Sequence, residues 1–203
     1  MKVYYSHPKW MYNTVEEENS IKAIKECLGD SIDVLNPRDY DEDPDFAYLK
    51  RRKGLIVCFR LIDQTDCLVF QRFHLSQEFK NYVLEYLQHA DEYGHFKSHL
   101  RNDIKDIPIR LQHLIAEKTS LVTPGVAKEV NYALRIKKGV YELLSRKLRV
   151  WNRKVQSDFD GPSDPLYGTL SLMLKTYRDG KYERLFPPFW WLMSKSRVMQ
   201  GVK

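Results

Sequence analysis

The sequence predicts an α/β protein whose sheet is parallel and covered by helices on both faces. Two observations carry this. Short apolar runs rich in β-branched or aromatic residues recur along the chain, as in KVYYS (2–6), IDVL (32–35), CLVF (67–70) and GVYEL (139–143). Between them stand segments whose apolar residues follow a helical period. Parallel neighbours need long crossover connections, and the intervening helices supply them. With 203 residues and 43 % hydrophobic content, the chain can build one sizeable core and an appendage.

Residues 2–6 read as a first strand that empties into a loop at His7-Pro8. Val15, Ile21, Ile24 and Leu28 then mark a helix, with Thr14 as its N-cap, Glu17 three residues on in a capping box, and Gly29 as its stop. A second strand ends at Asn36-Pro37 and gives way to the polar loop RDYDEDPD. A helix is expected from Phe46 to about Gln64, then a buried strand in TDCLVFQRF. Another helix covers about 125–138, and GVYEL is a fourth strand. Residues 73–120 are too long for a simple connection and read as a helical insertion over the carboxyl ends of the strands, a candidate lid. The organisation expected is an α/β domain over 1–144 carrying that insertion, then a basic and aromatic helical extension over 145–203. The extension would hold a basic helix after about residue 144, a second helix in PLYGTLSLMLKTYRDG, and the tail LFPPFWWLM, packed on the domain or on another subunit.

The net charge of +6 is read as a solubility charge. Basic residues crowd the last third, which would also suit nucleic acid, but no recognisable nucleic-acid module accompanies them and that partner is not favoured. No apolar run is long enough for a membrane span, so a soluble, cytoplasmic protein without a membrane partner is expected. Cys27, Cys58 and Cys67 form no C-x-x-C pair and read as small buried hydrophobes. His95 and His99 have i, i+4 spacing, but a solvated helix face is the better reading, so no metal site is expected.

Four features, VYYSHP at the start, Asn36-Pro37, TDCLVF, and GVAKEVNYAL followed by KKGVYEL, together resemble the nucleoside 2-deoxyribosyltransferase-like superfamily. The resemblance covers about residues 2–70 and 121–143. It implies a flavodoxin-like or Rossmann-like fold, a nucleoside or nucleotide ligand, no cofactor, a homo-oligomer, and cleavage or transfer of an N-glycosidic bond. The family pattern, Asp-x-Gly-x-x-x-Glu-x-Gly-x-Ala, is matched by Gly125, Glu129 and Ala133, while Thr123 stands in place of the acid and Asn131 in place of the second glycine.

The resemblance makes Glu129 the nucleophile and Tyr4 the residue that orients it, with Ser6, His7, Asn36, Asp66, Thr123 and Gly125 around the ligand. Physical chemistry fits Glu129 to the role. Breaking the bond develops positive charge on the sugar, which an adjacent carboxylate stabilises and then traps. A glutamate in the first turn of a helix is expected to stay ionised beside the free N–H groups. On the bland reading, Glu129 serves only the helix. The principal rival function is a nucleotide-binding or regulatory domain that keeps the pocket without the chemistry, and Thr123 favours it.

Overall fold

The computed structural model describes residues 1–40, 55–92 and 106–178. The chain divides into two compact units, one made of Met1–Phe73 with Leu121–Asp158, the other of His74–Ser120 with Phe159–Lys203.

The first unit is the α/β body. Its five strands are β1 (Lys2–Ser6), β2 (Asp33–Leu35), β3 (Cys67–Phe70), β6 (Gly139–Leu144) and β7 (Lys147–Val150), in the order β2-β1-β3-β6-β7. The short segments β4 (Phe73–His74) and β5 (Ser120–Leu121) lie where the chain passes between units. Pairs β1–β2, β1–β3 and β3–β6 are parallel, and the register sets Ser6 beside Phe70 and Phe70 beside Glu142. The carboxyl ends of β1 and β3 are therefore level, while β6 runs on to Leu144.

Burial explains why these strands are apolar on both faces. Val3, Tyr5 and Val69 pack with Ala23 and Ile24 of α1 (Val15–Leu28). On the other face Tyr4, Leu68, Phe70 and Val140 meet Val57, Leu61 and Ile62 of α2 (Ile56–Asp63) and Val126, Val130 and Ala133 of α5 (Pro124–Arg135). A parallel sheet covered twice reads as continuous apolar runs rather than as alternation. Helix α1 begins at the expected N-cap, with Thr14 Oγ1 accepting from the Glu17 amide at 3.2 Å, but the box is only half formed: the Glu17 carboxylate reaches back to the Asn13 amide at 2.8 Å rather than to that of Thr14. It ends at Gly29, whose φ of 104° favours a residue without a side chain.

Three expectations are corrected. SRKLRVWNRK does not open a basic helix: Lys147–Val150 returns antiparallel to β6 as an edge strand, with Arg149 opposite Glu142. The sheet is thus mostly rather than wholly parallel. Basic side chains suit an exposed edge, where they discourage further strand pairing. Cys27 is exposed, while Cys58 and Cys67 are buried.

The second unit contains α3 (Gln77–Glu92), α4 (Ile107–Glu117) and α6 (Pro165–Arg178), in keeping with the helices expected in the insertion and after DFDGPSDP. The Tyr177 ring lies 5.4 Å from Phe79 and 5.3 Å from Tyr82. Buried Asp164 accepts from the Leu166 amide at the head of α6 and from Arg110 of α4 at 3.3 Å. No helix among the described residues is long and apolar enough to cross a membrane. The expected helical residues 46–54, the His95/His99 pair and the tail LFPPFWWLM lie outside the described residues.

Candidate functional site

Strand β1 has β2 on one side and β3 on the other, the position where open parallel sheets leave a crevice beyond their carboxyl ends. Ser6 closes β1 there. Because side chains alternate along a strand, Tyr4 and Ser6 share the face that α5 covers. Ser6 Oγ donates to Glu129 Oε2 at 2.7 Å, both residues being buried. Tyr4 is fully buried, and its hydroxyl is the one buried side-chain polar atom without a partner among the described residues.

The electrostatics of Glu129 differ from the sequence-based expectation. It sits in the second turn of α5, not the first, so the free N–H groups at the helix start do not reach it. Burial pushes its pKa up, and the Ser6 hydroxyl, the Cys58 thiol, the Tyr4 hydroxyl and the charge of His7 pull it back in part. The net direction is upward, so the protonated carboxyl is favoured more than in an exposed glutamate. Burial, then the Glu129 charge, push the Tyr4 phenol well above its ordinary value, which keeps its proton available for donation.

A second polar cluster adjoins the first through His7. Its Nε2 stands 2.8 Å from Glu17 Oε1, and its Nδ1 3.1 Å from the Tyr5 carbonyl. Both partners are acceptors, so making both bonds at once takes a ring protonated on both nitrogens. Glu17 is wholly buried and accepts three further bonds: from Asn36 Nδ2 at 3.0 Å, from the Asn13 amide at 2.8 Å, and from Arg38 Nη1 at 2.9 Å. Burial alone would raise its pKa, but the bonds from His7, Asn36 and the Asn13 amide outweigh that and hold it at about 2.

Of the residues expected from the sequence, Tyr4, Ser6 and Glu129 meet, with His7 beside them. His7 and Asn36 have their polar atoms engaged by the protein around Glu17. Thr123 is the buried N-cap residue of α5, without a side-chain cap bond, and Gly125 follows in the first turn. A side chain at Gly125 would meet nothing within 4 Å, so packing does not demand glycine there. Asp66 lies at the opposite end of the sheet, where its carboxylate accepts from the Lys2 amide at 2.7 Å, and is not brought to the cluster.

Asn131 has a structural task. Its amide nitrogen donates to the Val155 carbonyl at 2.8 Å and its oxygen accepts from the Val155 amide at 2.9 Å, fastening the segment after β7 to α5. Two participants escaped the sequence reading. Glu17 read only as a capping residue, because its partners Asn36 and Arg38 lie 19 and 21 positions away, beyond the second strand, and no local pattern joins them. Cys58 stood in an apolar run that gave no signal at all.

A third charged group lies further along the same sheet face. Buried Glu142 accepts from Arg72 Nε at 2.6 Å and pairs with Arg149, while Arg72, Arg149 and Arg153 surround the Trp151 ring at 4.8–5.5 Å. Among the described residues no group of three potential metal ligands forms. Comparison of the chain with protein-family models, with curated proteins and with solved structures gives no match.

Proposed function

We propose that the chain cleaves or transfers the N-glycosidic bond of a nucleoside or nucleotide, with Glu129 as nucleophile, on a flavodoxin-like domain of the nucleoside 2-deoxyribosyltransferase-like superfamily. The observation that carries the reading is the buried Glu129 carboxylate held by Ser6 at 2.7 Å, at the carboxyl ends of the central strands. The strand order supports the fold assignment, and the buried Tyr4 hydroxyl, which meets no full hydrogen-bond geometry yet lies close enough to lower the Glu129 pKa, supports the role of an orienting donor.

In the first step a Glu129 carboxylate oxygen bonds to the anomeric carbon as the carbon–nitrogen bond breaks. The bonding pair leaves with the base, which takes a proton from water because Thr123 offers no acid. Water or a second base then attacks the same carbon and frees Glu129, giving hydrolysis or transfer. The attacking carboxyl must be ionised. Ser6, Cys58, Tyr4 and His7 offset part of the burial penalty, so the rate should rise with pH through a value above the usual glutamate range.

The test is incubation with a panel of nucleosides, nucleotides and NAD, with released base measured by chromatography. Release by the wild type and its loss in Glu129→Gln are expected. Equal background release by wild type and Glu129→Ala would overturn the assignment. Two observations favour the alternative of a ligand-binding or regulatory domain without turnover: burial favours the protonated carboxyl, and Thr123 stands where the family pattern has an acid. Nucleotide binding by calorimetry with no base released over hours would decide for it.

A further inference from the structure

Helix α5 presents different chemistry on its two sides. Inward it buries Val126, Glu129, Val130 and Ala133. Outward, Lys128, Asn131, Tyr132 and Arg135 recur at helical spacing, and with Phe59 of α2 and Lys154 after β7 they line a depression of about 580 Å³. Small-molecule sites occupy roughly 300–1,000 Å³. The depression is large enough for a ligand and distinct from the Glu129 cluster.

Its lining joins an apolar floor of Phe59, Tyr132 and Leu134 to a cationic rim. The Tyr132 ring lies on Phe59 with centroids 4.3 Å apart and planes 8° from parallel. The Arg135 guanidinium lies over the Tyr132 ring at 5.0 Å, and the Tyr132 hydroxyl is pinned by Asp63 at 2.7 Å. Lys128, Arg135 and Lys154 are exposed, and no acidic side chain is among the lining residues. Asn131, by fastening Val155 through two bonds, also sets the neighbouring Lys154 on the rim.

We infer that this depression binds single-stranded nucleic acid, with a base on the outer face of the Arg135 guanidinium that caps the Phe59–Tyr132 stack, and the backbone phosphates on Lys128, Lys154 and the N–H edge of Arg135. Aromatic rings and guanidinium planes accept any base by stacking, without reading its edge. Lys128 and Arg135 lie about 10 Å apart along the helix axis at 1.5 Å per residue. One phosphate group does not span that distance, whereas successive phosphates of a strand do. An acidic peptide would satisfy the cations but leave the stack unused.

The experiment titrates the full chain into a fluorescein-labelled twelve-residue oligothymidylate, reading anisotropy at several salt concentrations. Combined Lys128→Ala, Arg135→Ala and Lys154→Ala should weaken binding at least tenfold and reduce the slope of log affinity against log salt by about 2, at roughly 0.7 per cation. A control combining Lys22→Ala, Arg146→Ala and Lys147→Ala removes the same charge from other exposed positions and should change affinity less than threefold. AMP and poly-glutamate at equal monomer concentration should not displace the strand. No binding by the wild type, equal loss in both variants, or full displacement by AMP or poly-glutamate overturns the proposal. Lys154→Ala alone, expected to reduce the slope by about 0.7, repeats the test on a minimal change.

Discussion

Replacing Glu17 by glutamine keeps the shape of the side chain but places an NH2 group among donors. The carboxylate accepts from His7, Asn36, the Asn13 amide and Arg38, and it is fully buried, so no orientation of glutamine can satisfy all four. The magnitude follows from linkage. Its pKa falls from 4.5 to about 2 on folding. At about 1.4 kcal/mol per unit, the ionised form favours the folded state by about 3 kcal/mol. A depressed folded pKa gives stability that is present above the unfolded value and lost as pH falls toward the folded one. Urea unfolding should therefore find Glu17→Gln less stable than the wild type by about 3 kcal/mol at pH 7, with the gap closing between pH 4.5 and 2. Equal stability at pH 7, or a gap undiminished at pH 2, would refute the reasoning.

Ser6→Ala removes a hydrogen bond that lowers the Glu129 pKa. The acidic limb of the base-release profile should move to higher pH, with a roughly tenfold lower rate below that limb; an unmoved limb would break the link between Ser6 and Glu129. Asn131→Ala loses both bonds to Val155 and should cost about 1–2 kcal/mol, seen as faster hydrogen exchange at the Val155 amide. Gly29→Ala forces a side chain onto a φ of 104° and should lower stability by about 1–3 kcal/mol in thermal unfolding, although space there is open.

What could be read beforehand follows from how local each determinant is. The alternating strands and helices were legible because doubly buried strands are apolar throughout, and α1 because its cap, stripe and glycine lie within one segment. Strand β7 was not, because Ser145 takes a φ of 55° at a turn with no glycine or asparagine to announce it, and basic side chains obscured the alternation of Leu148 and Val150. Glu129 could be singled out by pattern, but its burial and raised pKa depend on Ser6, 123 residues away. Asn131 looked like a departure from a pattern, and its partner Val155 lies on a segment whose path depended on β7. The Glu17 cluster joins the β1 loop, α1 and the end of β2, so only the assembled sheet reveals that one carboxylate answers four donors.

The strand order also sets a timetable for the growing chain. Strand β3 is buried on both sides in the finished sheet, yet one of its edges is completed only by β6, and the paired residues Arg72 and Glu142 are 70 positions apart. At roughly 5–20 residues per second on the ribosome, that edge waits about 4–14 s for its neighbour. During that interval Cys67–Phe70 is an apolar strand with unpaired backbone groups, open to pairing with other chains. Slow translation between the two strands should therefore lower the yield of correctly folded protein, and a chaperone that shields extended apolar segments should restore it.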